Sequence, residues 1–267
     1  MPRPSGGDLD LATVLTERRS YLRALIEQPR SKRDLESAVA SSRSTLDRAL
    51  RDLADANLAR YEDGVWTPTL LGWCSYRAQE TYRDHLTTLA EAAPLLNNLP
   101  VDGSVGCAFL DDADVYEADP AMPDAVIQTL LESVEHATEV CAATPVVVTG
   151  FAEEFYECVR IGESYSLEMV LPAKVFEQVY VAFPTLTDEV LNDSNVQLYQ
   201  ASIPFSFGLW IADAAEAGIV VFTEQGVSGI LINDTDDALE WAHNQYKRVK
   251  QNADQIFLRG GLNSTVG

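Results

Sequence analysis

Residues 43–57 carry Leu46, Ala49, Leu50 and Leu53 at the i, i+3, i+4 and i+7 spacing of a single helical stripe, and two short runs around an Asp-Gly turn follow at once. A helix that leads straight into a tight hairpin leaves few folds open. At about 100° per residue, Ser44, Arg48 and Arg51 share the face opposite that stripe, with Arg43 at the helix start. Asp47, Asp52 and Asp55 dilute the charge, the last two toward the C-terminal end. The hairpin is predicted from Leu58-Ala59-Arg60-Tyr61 and Val65-Trp66-Thr67-Pro68, joined by Glu62-Asp63-Gly64.

Two further helices precede this one. Leu11, Val14, Leu15, Leu22, Leu25 and Ile26 form an apolar stripe over residues 9–27, with Arg18, Arg19 and Arg23 off it. Gln28-Pro29-Arg30 then breaks the chain. Ser31 is suited to N-cap a short second helix carrying Leu35, Ala38 and Val39, with Asp34 in a capping-box-like position. Ser41-Ser42 makes the turn into the third.

Three helices followed by a hairpin is the order of a winged helix-turn-helix. The stretch SKRDLESAVASSRSTLDRALRDLADANLARYEDGVWTPTLLG resembles that domain, particularly the MarR/ArsR-like winged helices of archaeal regulators. In such motifs the third helix enters the major groove of double-stranded DNA with its N-terminal residues at base edges. On that reading Arg43 and Arg48 read guanine or grip phosphate, Ser44 and Thr45 suit phosphate or mixed contacts, and Arg51 shares their face. Lys32, Arg33 and Arg60, the last in the wing, bind the phosphate backbone. A winged helix used only for protein contacts is the alternative, against which the arginine face counts. ArsR-type metal sensors often carry a Cys-x-Cys pair near this helix; none is present, and no metal site or cofactor is expected.

The charge is unevenly spread. The chain has 41 acidic and 19 basic residues, a formal net charge of −22, and its only lysines are Lys32, Lys174, Lys247 and Lys250. Few lysines and many carboxylates suit a haloarchaeal cytoplasm at molar salt, where screening falls to roughly 3 Å and self-repulsion costs little. Residues 1–90 nevertheless hold 13 basic and 13 acidic side chains, against 6 and 28 in residues 91–267. A neutral segment in a strongly acidic chain points to an anionic partner. No apolar run is long enough to span a membrane, and the N-terminus shows no secretory signal, so a cytoplasmic protein is expected. Cys74, Cys107, Cys141 and Cys158 are widely spaced, as are His85, His136 and His243, without metal-ligand spacing.

A length of 267 residues suggests two domains. The expected division is a winged helix over residues 1–68, a linker helix within 69–100, and an α/β domain over 101–267. Leu71, Ala78, Tyr82, Leu89, Ala92 and Leu96 fall near a seven-residue rhythm in the linker. That pattern serves either packing on the next domain or the contact of a homodimer reading two half-sites.

Beyond Val101, strands are predicted at 104–110, 114–118, 145–149, 166–171 and 196–201, then a meander over 206–211, 219–224 and 229–233. Helices are predicted at 124–138, 152–160, 173–181 and 187–191, with a closing helix over 236–257. This is an α/β domain with a mixed sheet, and the whole chain is an α+β/α/β two-domain protein. The segment SFGLWIADAAEAGIVVFTEQGVSGILINDTDDALEWAHNQYKRVKQNA resembles the C-terminal part of the FilR1-type (methanogenesis regulatory protein) domain of archaeal regulators, best over residues 202–253. The resemblance implies an effector module related to the phospholipase D fold.

Phospholipase D chemistry needs His-x-Lys, a nucleophile beside a charge-neutralising lysine. The histidines here read His85-Leu-Thr, His136-Ala-Thr and His243-Asn-Gln, so the fold is expected to be non-catalytic. Arg160, Lys174 and the segment after Thr149-Gly150 are the candidates for an anionic metabolite effector; Tyr165, Tyr199 and Asp213 are those for a neutral or cationic one. The leading expectation is a homodimeric, sequence-specific transcriptional regulator modulated by a small molecule. An enzyme of phosphodiester or nucleotide chemistry docked to nucleic acid, and a protein-interaction adaptor without DNA affinity, are the alternatives.

Overall fold

The computed structural model describes residues 7–101, 105–119, 121–161, 164–224 and 226–257. The chain divides into two compact units, residues 1–84 and 85–267, and the division falls inside one long helix.

The first unit contains α1 (Gly7–Glu27), α2 (Lys32–Val39), α3 (Arg43–Asp55), a hairpin of β1 (Ala59–Glu62) and β2 (Val65–Pro68), and the start of α4 (Leu70–Leu96). Ser31 caps α2 by accepting from the Asp34 amide, and Ser42 caps α3 by accepting from the Thr45 amide, both at 3.3 Å. The hairpin turn has positive φ at both central residues, 50° at Asp63 and 86° at Gly64, as a primed two-residue turn requires. Leu22, Leu25, Leu35, Leu46, Leu53 and Leu58 are fully buried and form one core. Truncating such a leucine to alanine costs about 2–5 kcal/mol. Paired backbone bonds between Arg30 and Trp66, at 3.1 and 2.8 Å, pin the loop before α2 to the second strand.

The second unit is an eight-stranded mixed sheet in the order β10-β6-β5-β4-β7-β8-β9-β3. The strands are β3 (Asp114–Glu117), β4 (Glu139–Ala143), β5 (Ser166–Leu171), β6 (Val196–Gln200), β7 (Phe207–Ala212), β8 (Glu216–Thr223), β9 (Gly226–Asn233) and β10 (Asp254–Gln255). The β4, β5 and β6 strands are parallel, and every other pairing is antiparallel. Side chains alternate between two cores. Phe207, Leu209 and Ile211 face one side with the end of α4, α5 (Cys107–Leu110) and α10 (Asp236–Lys250). Trp210 and Ala212 face the other, where α6 (Val126–Val134), α7 (Ala152–Val159), α8 (Ala173–Ala182) and α9 (Pro184–Asn192) cover the sheet. Covering both faces explains why β7 and β8 read as near-continuous apolar runs.

Three expectations are corrected. Of the predicted strand at 104–110, Ser104 lies outside the described residues, and Cys107–Leu110 is a helical turn. Phe109 and Leu110 are both buried in the same core, which successive strand residues cannot achieve. The predicted strand at 145–149 is irregular chain and the start of a 3-10 turn; the strand is Glu139–Ala143 instead. Its alanines and cysteine carry weak β-propensity, whereas its parallel and antiparallel neighbours pair with it along its length. The closing helix ends at Lys250, after which Asp254–Gln255 pair with Gln200 and Tyr199.

Candidate nucleic-acid interface

The predicted recognition residues are exposed together on α3. Leu46, Ala49, Leu50 and Leu53 fix one side of the helix in the core. That leaves Arg43, Ser44, Thr45, Arg48 and Arg51 in solvent. The Ser42 hydroxyl lies 3.1 Å from Ser44 Oγ and 2.8 Å from Thr45 Oγ1, so both hydroxyls belong to a cap network at the helix start.

The acidic residues that dilute the arginines in sequence are partly withdrawn from that face. Asp52 accepts from Arg18 Nε of α1 at 2.9 Å, and Asp47 is ion-paired with Lys32. Elsewhere in the unit Arg19 binds Glu80, which also accepts from Tyr76 Oη at 2.9 Å. The Arg19 hydrogen bond holds the Glu80 carboxyl below its ordinary range. Arg23 and Arg30 pair with Glu27, and Arg60 pairs with Glu62 at 3.0 Å. Among the described residues Arg33, Arg43, Arg48 and Arg51 make no ion pair. Lys32 and Arg60, assigned to phosphate from sequence, therefore start from an internal partner.

Tyr61 was not anticipated. It is 61% exposed beside the hairpin turn, with its ring centroid 5.5 Å from that of Trp66. An aromatic outward in a strand whose neighbours are charged is the signal that identifies it.

The six effector candidates do not converge. Arg160 stacks 4.8 Å over the Tyr156 ring and pairs with Glu157 and Glu189. Tyr156 donates to Asp193 at 2.8 Å, and Tyr165 donates to the same carboxylate, so Arg160 and Tyr165 belong to one polar cluster. Asp213 accepts from the Thr138 amide, the Thr138 hydroxyl and the Glu139 amide at 2.8, 2.8 and 2.9 Å, tying the β7–β8 turn to the start of β4. Tyr199 donates to Gln197 at 2.6 Å and lies under Lys250. Thr149 and Lys174 are exposed on separate elements. Among the described residues no group of three His, Cys, Asp or Glu side chains is placed to hold a metal ion, and no helix is long and apolar enough to cross a membrane.

Comparison with known proteins gives two family matches. Residues 123–252 match the methanogenesis regulatory protein FilR1, middle domain, and residues 7–91 match the HVO_A0261 N-terminal domain. The first agrees with the resemblance drawn over residues 202–253 and extends it upstream. No protein of curated function matches the chain. Among solved structures, TrmBL2, an archaeal chromatin protein, is 12% identical with a TM-score of 0.42, covering 92% of this chain and 98% of its own. NucT from Helicobacter pylori is 10% identical with a TM-score of 0.42, covering 54% and 99%. CalO1, a methyltransferase in calicheamicin biosynthesis, is 17% identical with a TM-score of 0.23, covering 74% and 63%. Nothing about this chain's chemistry follows from likenesses at that level.

Proposed function

We propose that this chain is a sequence-specific DNA-binding transcriptional regulator whose first unit is a winged helix-turn-helix. The α3 helix is the recognition helix and the β1–β2 hairpin is the wing. One observation carries the reading: Asp47 and Asp52 are occupied by Lys32 and Arg18, while Arg43, Arg48 and Arg51 stand exposed with no acidic partner among the described residues. Two guanidinium groups on one helical face, with a third at the helix start, match the edges of guanine and the phosphates that flank a major groove. In a chain of net charge −22, three such groups without carboxylate partners are poorly explained by solubility.

Arg33 adds a free cation at the start of α2, and Lys32 and Arg60 reach phosphate by exchanging their carboxylate partners. The second unit acts as a non-catalytic regulatory module, in keeping with the methanogenesis regulatory protein whose middle domain it matches. A homodimer places two α3 helices on two half-sites, and a ligand of the second unit alters their spacing. At molar salt the phosphate contribution shrinks, so base contacts and DNA shape carry more of the specificity.

The test is a gel shift with genomic fragments at molar KCl, comparing wild type with Arg48→Ala/Arg51→Ala. At about 1–3 kcal/mol for each good bidentate base contact, the double variant loses at least roughly tenfold in affinity. Unchanged binding overturns the recognition-helix assignment. Light scattering at the same salt tests the dimer.

A further inference from the structure

In the second unit a cavity of about 180 Å³ lies between the sheet and helices α6 to α9. Ala142, Met169, Leu198 and Trp210 form its floor on β4, β5, β6 and β7. Leu130, Phe155, Phe176 and Val190 close it from the four helices. Its edge is the irregular segment that follows β4, where Val146, Val147 and Val148 line it and Val146 is 44% exposed. These valines are the run that reads as a strand in the sequence; their apolar character serves the cavity instead. Thr144 and Leu171, just past β4 and at the end of β5, also line it, so it extends to the carboxyl ends of parallel strands, where open α/β sheets take their ligands.

Among the described residues no charged side chain lines this space, in a protein where 22% of residues are charged. Its few polar side chains already have partners. Thr144 donates to the Val146 carbonyl at 2.6 Å, Thr187 to the Phe183 carbonyl at 2.9 Å, and Tyr156 to Asp193. Trp210 Nε1 donates to Ser133 Oγ at 2.9 Å. Gly208 keeps the wall low, since a Cβ there sits 3.2 Å from Thr144 Oγ1 and 3.4 Å from Phe222 Cζ. The space opens to solvent at Val146, and its volume is close to that of an apolar cavity of about 150 Å³ known to take benzene.

We propose that this cavity binds a neutral aromatic compound of one or two rings. Phe151, Phe155, Tyr156, Phe176, Trp210 and Phe222 offer ring edges and faces, and among the described lining residues a charged ligand finds no counter-ion. Such a ligand fills the effector role of the proposed regulator; that consequence rests on the regulator reading, whereas binding itself does not.

The test uses the full chain at molar KCl, with naphthalene as probe and 2-naphthoate as its charged counterpart. Thermal unfolding should show a melting temperature that climbs with naphthalene concentration, as ligand binding to the folded state demands, and does not move with 2-naphthoate. Equilibrium dialysis should give one naphthalene per chain. Val147→Trp, which fills the edge of the cavity, should abolish both effects; Val148→Phe repeats the test should the first variant fold poorly. Absence of naphthalene uptake by the wild type, an equal response to 2-naphthoate, or full uptake by both filled variants overturns the proposal. No DNA is present in these measurements, so a wild type that fails to bind DNA sinks the regulator and leaves this site standing.

Discussion

Lys32, the first residue of α2, is ion-paired with Asp47 of α3, the residue immediately before Arg48. The pair ties α2 to α3 and masks one positive and one negative charge at the proposed interface. Asp47→Asn releases Lys32 and removes a carboxylate beside the arginines. DNA affinity should rise, and the plot of log affinity against log salt should steepen by up to about 0.9, the contribution of one further phosphate contact. A titration over several KCl concentrations measures both. An unchanged slope would show that Lys32 does not reach phosphate even when freed.

Trp210 lies across Gly218 of the neighbouring strand. A Cβ at Gly218 sits 2.0 Å from Trp210 Cζ2, and the indole is held in place by its bond to Ser133. Gly218→Ala therefore forces a buried ring out of its position. Overpacking of this kind costs about 1–3 kcal/mol, and the second unit should melt correspondingly earlier. Because Trp210 also floors the aromatic cavity, naphthalene uptake should fall in the same variant.

Asp193 gathers Tyr156 and Tyr165 under Arg160. Burial raises its pKa, but the bonds from Tyr165, the Asn195 amide and Tyr156, with Arg160 nearby, outweigh burial and leave it below the usual carboxylate range. A depressed carboxylate stabilises the fold at pH values above its unfolded pKa, and that contribution is lost as pH falls through its folded pKa. Asp193→Asn should thus be less stable than wild type at neutral pH, with the gap closing below about pH 4. Urea unfolding at pH 7 and pH 3 checks the sign; a gap that widens in acid contradicts it.

The four cysteines differ in environment. Cys74 and Cys107 are exposed, whereas Cys141 is buried and its thiol is pushed up to about 11, by burial first and then by the Glu168 and Glu139 carboxylates. Burial also raises Cys158. Iodoacetamide at pH 8 should label Cys74 and Cys107 first and leave Cys141 unmodified until the chain unfolds. Mass spectrometry of the native protein gives the order. Rapid native labelling of Cys141 would show that the sheet opens at β4.

The first unit was legible because its signals are local. The stripe of Leu46, Ala49, Leu50 and Leu53 orients α3 without reference to any other segment, and Asp63-Gly64 specifies its own turn. Helical spacing alone therefore put Ser44, Arg48 and Arg51 on the exposed face, with Arg43 at the helix start. Sequence did not show that Arg18 and Lys32 occupy Asp52 and Asp47, since those partners come from other helices.

The second unit was legible in its fold class and less so in its details. Strand–helix alternation and the final meander implied a mixed sheet, but the order in which β10, β6, β5 and β4 line up depends on pairings far apart in sequence. Glu139–Ala143 is a strand because both flanking strands bond to it, while the stronger β-formers at Val146–Val148 pair with no strand among the described residues and edge a cavity. Asp213, chosen from sequence as a ligand contact, is spent on the backbone of Thr138 and Glu139. Periodicity and turn chemistry are properties of neighbouring residues and survive in the bare sequence. Which carboxylate meets which cation, and where apolar side chains leave a void, is decided only when distant segments compete for the same space.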